Sequence, residues 1–356
     1  MDRRVRRWRL IQPAFARQKL ARIEPIANAA AESAIQRWRR LDENTPVDLE
    51  HEMLVISLEV LGLALFGADL GNKVHLLLDA VLGALGYIMV GAKNPLQPPA
   101  FLPTPANRKF KQAIVTLDEA VESMLEGRRS SGLGDDLLSM LFQAQDAQGK
   151  NELPDRQIRD EIITLLIAGH EAVATALTWT WYLLAQNPEA YDRMLNEMDT
   201  VLSGQAPEMA DLELLSFSGQ VFQEVLRLYP PAWLISRRAK IADQVNGMPI
   251  PANSLVIISP YTMHRNEQFW QQPDVFNPGR FDENTMKLQH RFAYIPFGGG
   301  PALCIGKNFA LTEAVILLAR LSQAFRFERT SNEAIKMDAL VALRLVGGLT
   351  VRLIPR

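Results

Sequence analysis

Phe297-Gly298-Gly299-Gly300-Pro301-Ala302-Leu303-Cys304-Ile305-Gly306 holds the one cysteine of the chain, in a glycine-rich turn leading into a helix that begins near Lys307. Glycines let backbone N–H groups approach a sulfur closely, and a helix N-terminus beside it adds partial positive charge. Nucleotide loops do not fit the same stretch. The phosphate-loop pattern needs glycine where Pro301 stands and serine or threonine where Asn308 stands. The dinucleotide pattern needs a small residue where Leu303 stands. A protease-type thiol needs a histidine partner, and the five histidines, His51, His75, His170, His264 and His290, show no recognisable pairing. A lone cysteine is by default a small inert core residue, and the decorated loop reverses that default. A thiolate so stabilised can be an axial iron ligand that donates electron density to a haem and favours O–O cleavage.

The second informative stretch is a long helix. Pro154 and Asp155 open it, Asp155 being placed to cap it, and Asn187-Pro188 stops it after about Gln186. At 1.5 Å per residue this spans roughly 48 Å, the width of a whole domain. Ile162-Ile163-Thr164-Leu165-Leu166-Ile167-Ala168 is apolar on every side, which predicts passage through the core. Gly169-His170-Glu171 follows. A mid-helix glycine costs about 1 kcal/mol against alanine, and a buried carboxylate costs more unless paired or wetted. Both are tolerable where a flat group must approach the backbone while a proton is handled beside it. The plain alternative is a kink with Glu171 paired to a neighbouring helix.

Composition bounds the class. The 356 residues carry 38 basic and 40 acidic side chains, a net charge of -2, with 48% apolar and 22% charged residues. These values disfavour disorder, collagen-like repetition and a coiled coil, and no global charge draws the protein to nucleic acid or an anionic membrane. One cysteine excludes an internal disulfide and points to a reducing cytoplasm. Residues 1–22 are basic, with Arg3, Arg4, Arg6, Arg7 and Arg9 against Asp2, and show no signal-peptide pattern. The longest uncharged apolar stretch, Ala80 to Ala92, is shorter than the roughly 18 residues of a membrane span, so no span is expected.

Length gives a loose prior of roughly two domains. No flexible linker divides the chain, and one mainly helical domain, 1–356, is expected. Helical spacing dominates to residue 228, interrupted by the proline-rich loop Gly91 to Pro105. From Trp233 to Ser259 a small sheet is predicted, with Asn246-Gly247 as a hairpin turn and Leu255-Val256-Ile257-Ile258 as a buried strand. A helix from about Lys307 to Phe325 precedes a β-like tail turning at Val346-Gly347-Gly348-Leu349.

The loop Phe297 to Gly306 resembles the cysteine-ligand loop of the cytochrome P-450 superfamily of haem-thiolate monooxygenases. Glu224-Val225-Leu226-Arg227 resembles its Glu-x-x-Arg motif, and Phe276-Asn277-Pro278-Gly279-Arg280-Phe281 its aromatic-Pro-x-Arg segment. Ala168-Gly169-His170-Glu171 resembles the oxygen-activation stretch of its long central helix. The resemblance is to a soluble, bacterial-type member and runs from the first residues to the last. It implies a mainly α fold with small β-sheets, starting in what resembles the third long helix, with Leu10 to Phe15 near that helix's end. The resemblance leads to the expectation of a fold lacking the strands and helices that usually precede it.

The resemblance further implies haem b with Cys304 as the iron's axial ligand and Phe297, Gly298, Ala302 and Gly306 around it. Glu224, Arg227 and Arg280 would form a buried structural triad. Glu171 would carry protons, and Gly169 would leave room for substrate and oxygen. Three positions depart from the pattern. Ala172 stands where a threonine hydroxyl usually aids proton delivery, with Thr175 four residues past Glu171 as a displaced substitute. Ala302 and Trp8 stand where basic residues usually bond the haem propionates, leaving Arg237, Arg238 and the Trp8 indole as candidates. Each lost charge-assisted bond is worth about 1.5 to 3 kcal/mol.

The implied function is insertion of one oxygen atom from dioxygen into an apolar small molecule by a monomeric protein. A separate ferredoxin or flavodoxin with its reductase would supply electrons, the basic N-terminal run facing the donor. The alternatives are a truncated non-catalytic haem- or ligand-binding relative, and a peroxygenase using hydrogen peroxide directly.

Overall fold

The computed structural model describes residues 11–356 apart from 43, 95, 147–153 and 340. Its principal helices are α1 (Ile23–Trp38), α2 (Leu49–Phe66), α3 (Val74–Lys93), α4 (Pro105–Ser131), α5 (Leu137–Asp146), α6 (Asp155–Gln186), α7 (Pro188–Leu202), α8 (Ser216–Leu228) and α9 (Lys307–Ala324). Local chemistry sets their ends. The Asp48 carboxylate accepts the His51 N–H at the start of α2, and Gly67 ends that helix at φ 59°, which a side chain rarely adopts. Thr104 caps α4 by accepting the Asn107 N–H, with Pro105 in the first turn.

Helix α6 has the bounds its punctuation predicts, with two differences in detail. Pro154 occupies the cap position, and Asp155 lies inside the first turn, where its carboxylate pairs with Arg129 at 2.8 Å instead of capping. The stretch buried on every side is Val173 to Leu184, not Ile162 to Ala168, where Thr164 and Ala168 are exposed. Large aromatics explain the depth of the C-terminal half. Trp179 stacks on Tyr229 with ring centroids 3.7 Å apart and donates its indole N–H to the Leu343 carbonyl. The helix packs chiefly along α2, with α8, α9 and α4 on its other sides.

The strands are short: β1 (Val47–Asp48), β2 (Ile235–Arg238), β3 (Asp243–Val245), β4 (Met248–Ile250), β5 (Leu255–Ile258), β6 (Phe325–Arg329), β7 (Met337–Ala339), β8 (Leu343–Leu345) and β9 (Thr350–Pro355). Asn246 and Gly247 turn the β3–β4 hairpin at φ 47° and 81°, as expected of a twist-matched turn. Two strand expectations change. Leu255 to Ile258 is a strand, but Leu255 is 62% and Ile257 57% exposed, because among the described residues β5 pairs with β2 alone. Gly347 and Gly348 do turn the tail, yet they join no hairpin: β8 pairs with β7, whereas β9 lies between β1 and β6.

Two helical stretches, Gly71–Lys93 and Asp155–Gln186, are long and apolar enough to cross a membrane by length and composition, which the reading of Ala80 to Ala92 alone did not reach. The second is largely buried inside the protein.

Candidate active site

Cys304 opens into a cavity of about 500 Å³. Its floor is the cysteine loop, with Phe297, Gly298, Ala302, Ile305 and Gly306 all on the lining. The roof is one face of α6: Leu165, Ala168, Gly169, Ala172 and Ala176, at the three- and four-residue spacing of a helix stripe. Phe15, Leu61, Phe222, Leu226, Leu234 and Phe309 complete apolar walls. A larger cavity of about 610 Å³ lies between the C-terminal end of α2, α3 and α4, but it contains no cysteine and its chief cation, Arg128, is paired to Asp136.

The loop is tied at several points. The Cys304 N–H donates to the Phe297 carbonyl at 3.0 Å, and the Gly298 N–H to the Ile295 carbonyl at 3.0 Å. Gly298 holds φ 75°, where glycine is favoured. Burial pushes the Cys304 thiol up, while the Gly306 N–H, directed at the sulfur, pulls it down. A cation at the sulfur would favour the thiolate further.

On α6 the structure separates the sequence candidates. Gly169 and Ala172 face the cavity. Gly169 has a second reason to lack a side chain: a Cβ there would meet the Leu61 methyls at 2.7 and 2.9 Å, so the glycine also permits close packing on α2. Glu171 and Thr175 are buried away from the cavity lining. Burial raises the Glu171 carboxyl above its ordinary range, the Arg344 guanidinium opposes this, and Glu50 adds to it. Arg344 in turn donates from Nε to Glu50 at 2.9 Å. Glu171 thus belongs to a charge cluster with a strand residue and the start of α2, not to a simple pair with one helix. Thr175 Oγ1 has no hydrogen-bond partner among the described residues. His170 donates from Nδ1 to the Leu166 carbonyl, and its Nε2 has no partner among the described residues.

Strand alternation sorts the two arginines. Arg237 lines the cavity, and Arg238 points to the opposite, exposed side of β2. Arg237 donates to the Ser236 carbonyl at 2.8 Å and pairs with no carboxylate among the described residues. Trp8 and the basic run 1–10 lie outside the described residues.

Behind the loop, Glu224 and Arg227 are fully buried. Arg227 donates from Nε and Nη2 to the two Glu224 oxygens at 2.7 and 2.9 Å, and its Nη1 donates to the His264 and Pro273 carbonyls at 2.8 and 2.7 Å. Glu224 also accepts the Asn277 N–H at 2.8 Å, with Arg280 Nε 3.3 Å away. Glu224, Arg227 and Arg280 therefore meet in one network.

A thiol presented to an apolar cavity beneath a long core helix, on a loop braced by a buried glutamate–arginine pair, is the layout of a haem-thiolate enzyme. The chain belongs to the cytochrome P450 family, whose model matches residues 2–345. It is similar to cyclooctatin synthase of Streptomyces melanosporofaciens, 37% identical over 90% of this chain and 70% of the relative. It is also similar to pentalenene oxygenase of Streptomyces avermitilis, 32% identical over 99% of this chain and 78% of the relative. Cyclooctat-9-en-7-ol 5-monooxygenase of Streptomyces melanosporofaciens is 31% identical over 91% of this chain and 70% of the relative. The protein is an oxidoreductase of the cytochrome P450 monooxygenase type.

The residues present fit the haem that this family implies. A soft sulfur ligand, apolar walls for a flat macrocycle and an arginine without a carboxylate partner for a propionate meet in one cavity. Arg344, Glu50 and Leu61 contribute to the site and escaped the sequence reading. Each acts across a long separation in sequence, and no local pattern marks it.

Proposed function

We propose that this protein inserts one oxygen atom of dioxygen into an apolar small molecule, the other atom leaving as water with two electrons and two protons consumed. The observation that carries the reading is the exposure of Cys304 to an apolar cavity roofed by Gly169 and Ala172. When bound, haem supplies the oxygen activation, with Cys304 as its iron ligand donating electron density. The chain's own residues do the rest. The Gly306 N–H supports negative charge on the sulfur. Arg237 would hold a propionate, and Phe297, Leu226 and Leu234 would exclude water from the substrate.

Glu171 carries protons, and because Ala172 supplies no hydroxyl they would reach the cavity through water. The relatives named for pentalenene and cyclooctat-9-en-7-ol point to cyclic olefins and their alcohols as the substrate class. Electrons come from a separate ferredoxin or flavodoxin with its reductase, and the protein works as a cytoplasmic monomer. One observation favours a second reading, direct use of hydrogen peroxide: the methyl of Ala172 on the cavity wall.

Turnover of a panel of cyclic olefins with a surrogate ferredoxin and reductase, against the same panel with hydrogen peroxide, tests the proposal. Oxygenated product that incorporates label from dioxygen supports the first reading. Product from peroxide alone supports the second, and no product from either contradicts both.

A further inference from the structure

The triad and the cysteine loop come from distant parts of the chain, and one side chain joins them. His264 is fully buried just after the turn Pro260–Met263. Its Nε2 accepts the Ile295 N–H at 2.8 Å, which fixes the tautomer: Nδ1 carries the proton and donates to the Arg227 carbonyl at 3.1 Å. The clasp is reciprocal, because Arg227 Nη1 donates to the His264 carbonyl at 2.8 Å. On the far side, Ile295 accepts the Gly298 N–H at 3.0 Å, and Phe297 accepts the Cys304 N–H at 3.0 Å. Hydrogen bonds therefore lead from Arg227 through the imidazole to the segment that holds the sulfur. Tyr294 packs on the ring at 5.3 Å between centroids and donates its hydroxyl to the Gln223 carbonyl of α8.

We propose that His264 is a positioning residue for the thiolate: its imidazole sets the height of the Cys304 loop on the Glu224–Arg227 scaffold by holding Ile295 at Nε2 and Arg227 at Nδ1. The inference rests on the reading of Cys304 as the iron ligand. Chemistry favours a neutral imidazole in this role. A protonated ring has two donors and cannot accept from Ile295. Burial and the positive charges of Arg227 and Arg265 push His264 down to about 4, so the acceptor is present throughout the neutral range. The other titratable group packed on the ring is Tyr294, whose hydroxyl burial holds well above its ordinary range. No methyl or aromatic hydrocarbon can fill both places, and each amide side chain can fill one.

That division supplies the test. In His264→Gln the amide reaches the Nε2 position and keeps the Ile295 bond, in His264→Asn it reaches the Nδ1 position and keeps only the Arg227 bond, and His264→Leu keeps neither. Hydrogen exchange of the peptide Phe292 to Phe297 is measured in the haem-loaded proteins, with the absorption spectrum of the reduced carbon monoxide complex recorded in parallel. The expected result is Ile295 exchange near wild type in the Gln variant and about tenfold faster in the Asn and Leu variants. The fraction of thiolate-type absorption should fall in the same order. Equal exchange and equal spectra in the Gln and Asn variants overturn the proposal, and that pair decides it even where His264→Leu does not fold. A Cys304→Ser control separates the two layers. If its spectrum matches wild type, the ligand reading fails, while the exchange pattern still reports on the His264 link.

Discussion

Behind the cysteine loop, Glu224 and Arg227 are fully buried, and their charges are met by each other, by backbone carbonyls and by the Asn277 N–H. Across the cavity, His170 and Thr175 on α6 are as deeply buried, yet Nε2 and Oγ1 lack partners among the described residues. The first region has the properties of a scaffold: low dielectric strengthens a completed network and fixes a single geometry. The second has buried polar atoms one helix face away from the cavity that no protein group among the described residues engages. The contrast separates a paired network that fixes the geometry behind the loop from a helix whose buried polar atoms are held by fewer protein partners, and substitutions should divide along the same line.

The largest effect belongs to the scaffold. Glu224→Ala leaves the Arg227 guanidinium buried without its carboxylate and should cost roughly 3 to 5 kcal/mol. Thermal unfolding and haem content report it: a large drop in Tm with haem loss is expected, and an unchanged, fully loaded variant would break the comparison.

Acid brings the next largest effect. Burial holds His170 and His264 down at about 4, against an ordinary value near 6.5. Between these values the unfolded chain binds more protons than the folded one, so stability is lost as pH falls from about 6.5 toward 4, by up to about 1.4 kcal/mol per pH unit for each histidine. His170→Leu removes one of the two contributions together with an unpartnered nitrogen. The acid limb of its stability curve should therefore be shallower than that of wild type, with stability near pH 7 maintained. An unchanged limb would mean that His170 is not held neutral in the folded state.

The smallest structural effects fall on the α6 hydroxyls, and they read on catalysis. Ala172 lines the cavity, so Ala172→Thr should raise the ratio of oxygenated product to electrons consumed, with less peroxide released. Thr175 lies off the lining, so Thr175→Val should leave that ratio unchanged. The reverse pattern, coupling lost with Thr175→Val and unmoved by Ala172→Thr, would transfer the proton path to Thr175.

Legibility in the sequence follows the range of the interactions. Helix α6 was readable because Pro154 and Asn187-Pro188 are local punctuation, and the Asn246-Gly247 turn because its backbone demand is local. The triad was readable only through the family resemblance, since Glu224 and Arg227 three residues apart fit any helix salt bridge and no spacing points to Arg280. The loop around Cys304 was readable because glycine, proline and cysteine each carry a backbone or ligand meaning. What was not readable depends on partners far along the chain. Leu61 fills the space that Gly169 leaves open, Arg344 sets the field at Glu171, and His264 meets Ile295. The exposure of Leu255 and Ile257 follows from which strands sit beside β5, and their own apolar pattern is blind to that.

The central claim is that Cys304 holds haem iron through its sulfur. The most direct measurement is the absorption spectrum of the purified protein, reduced and exposed to carbon monoxide, beside its iron content and beside the same data for Cys304→Ser. A thiolate-type Soret band in wild type that disappears in Cys304→Ser is the predicted result, because a serine hydroxyl supplies no comparable soft anionic ligand near neutral pH. Wild-type protein that binds no haem, or a Cys304→Ser variant that keeps the thiolate-type band, would contradict it.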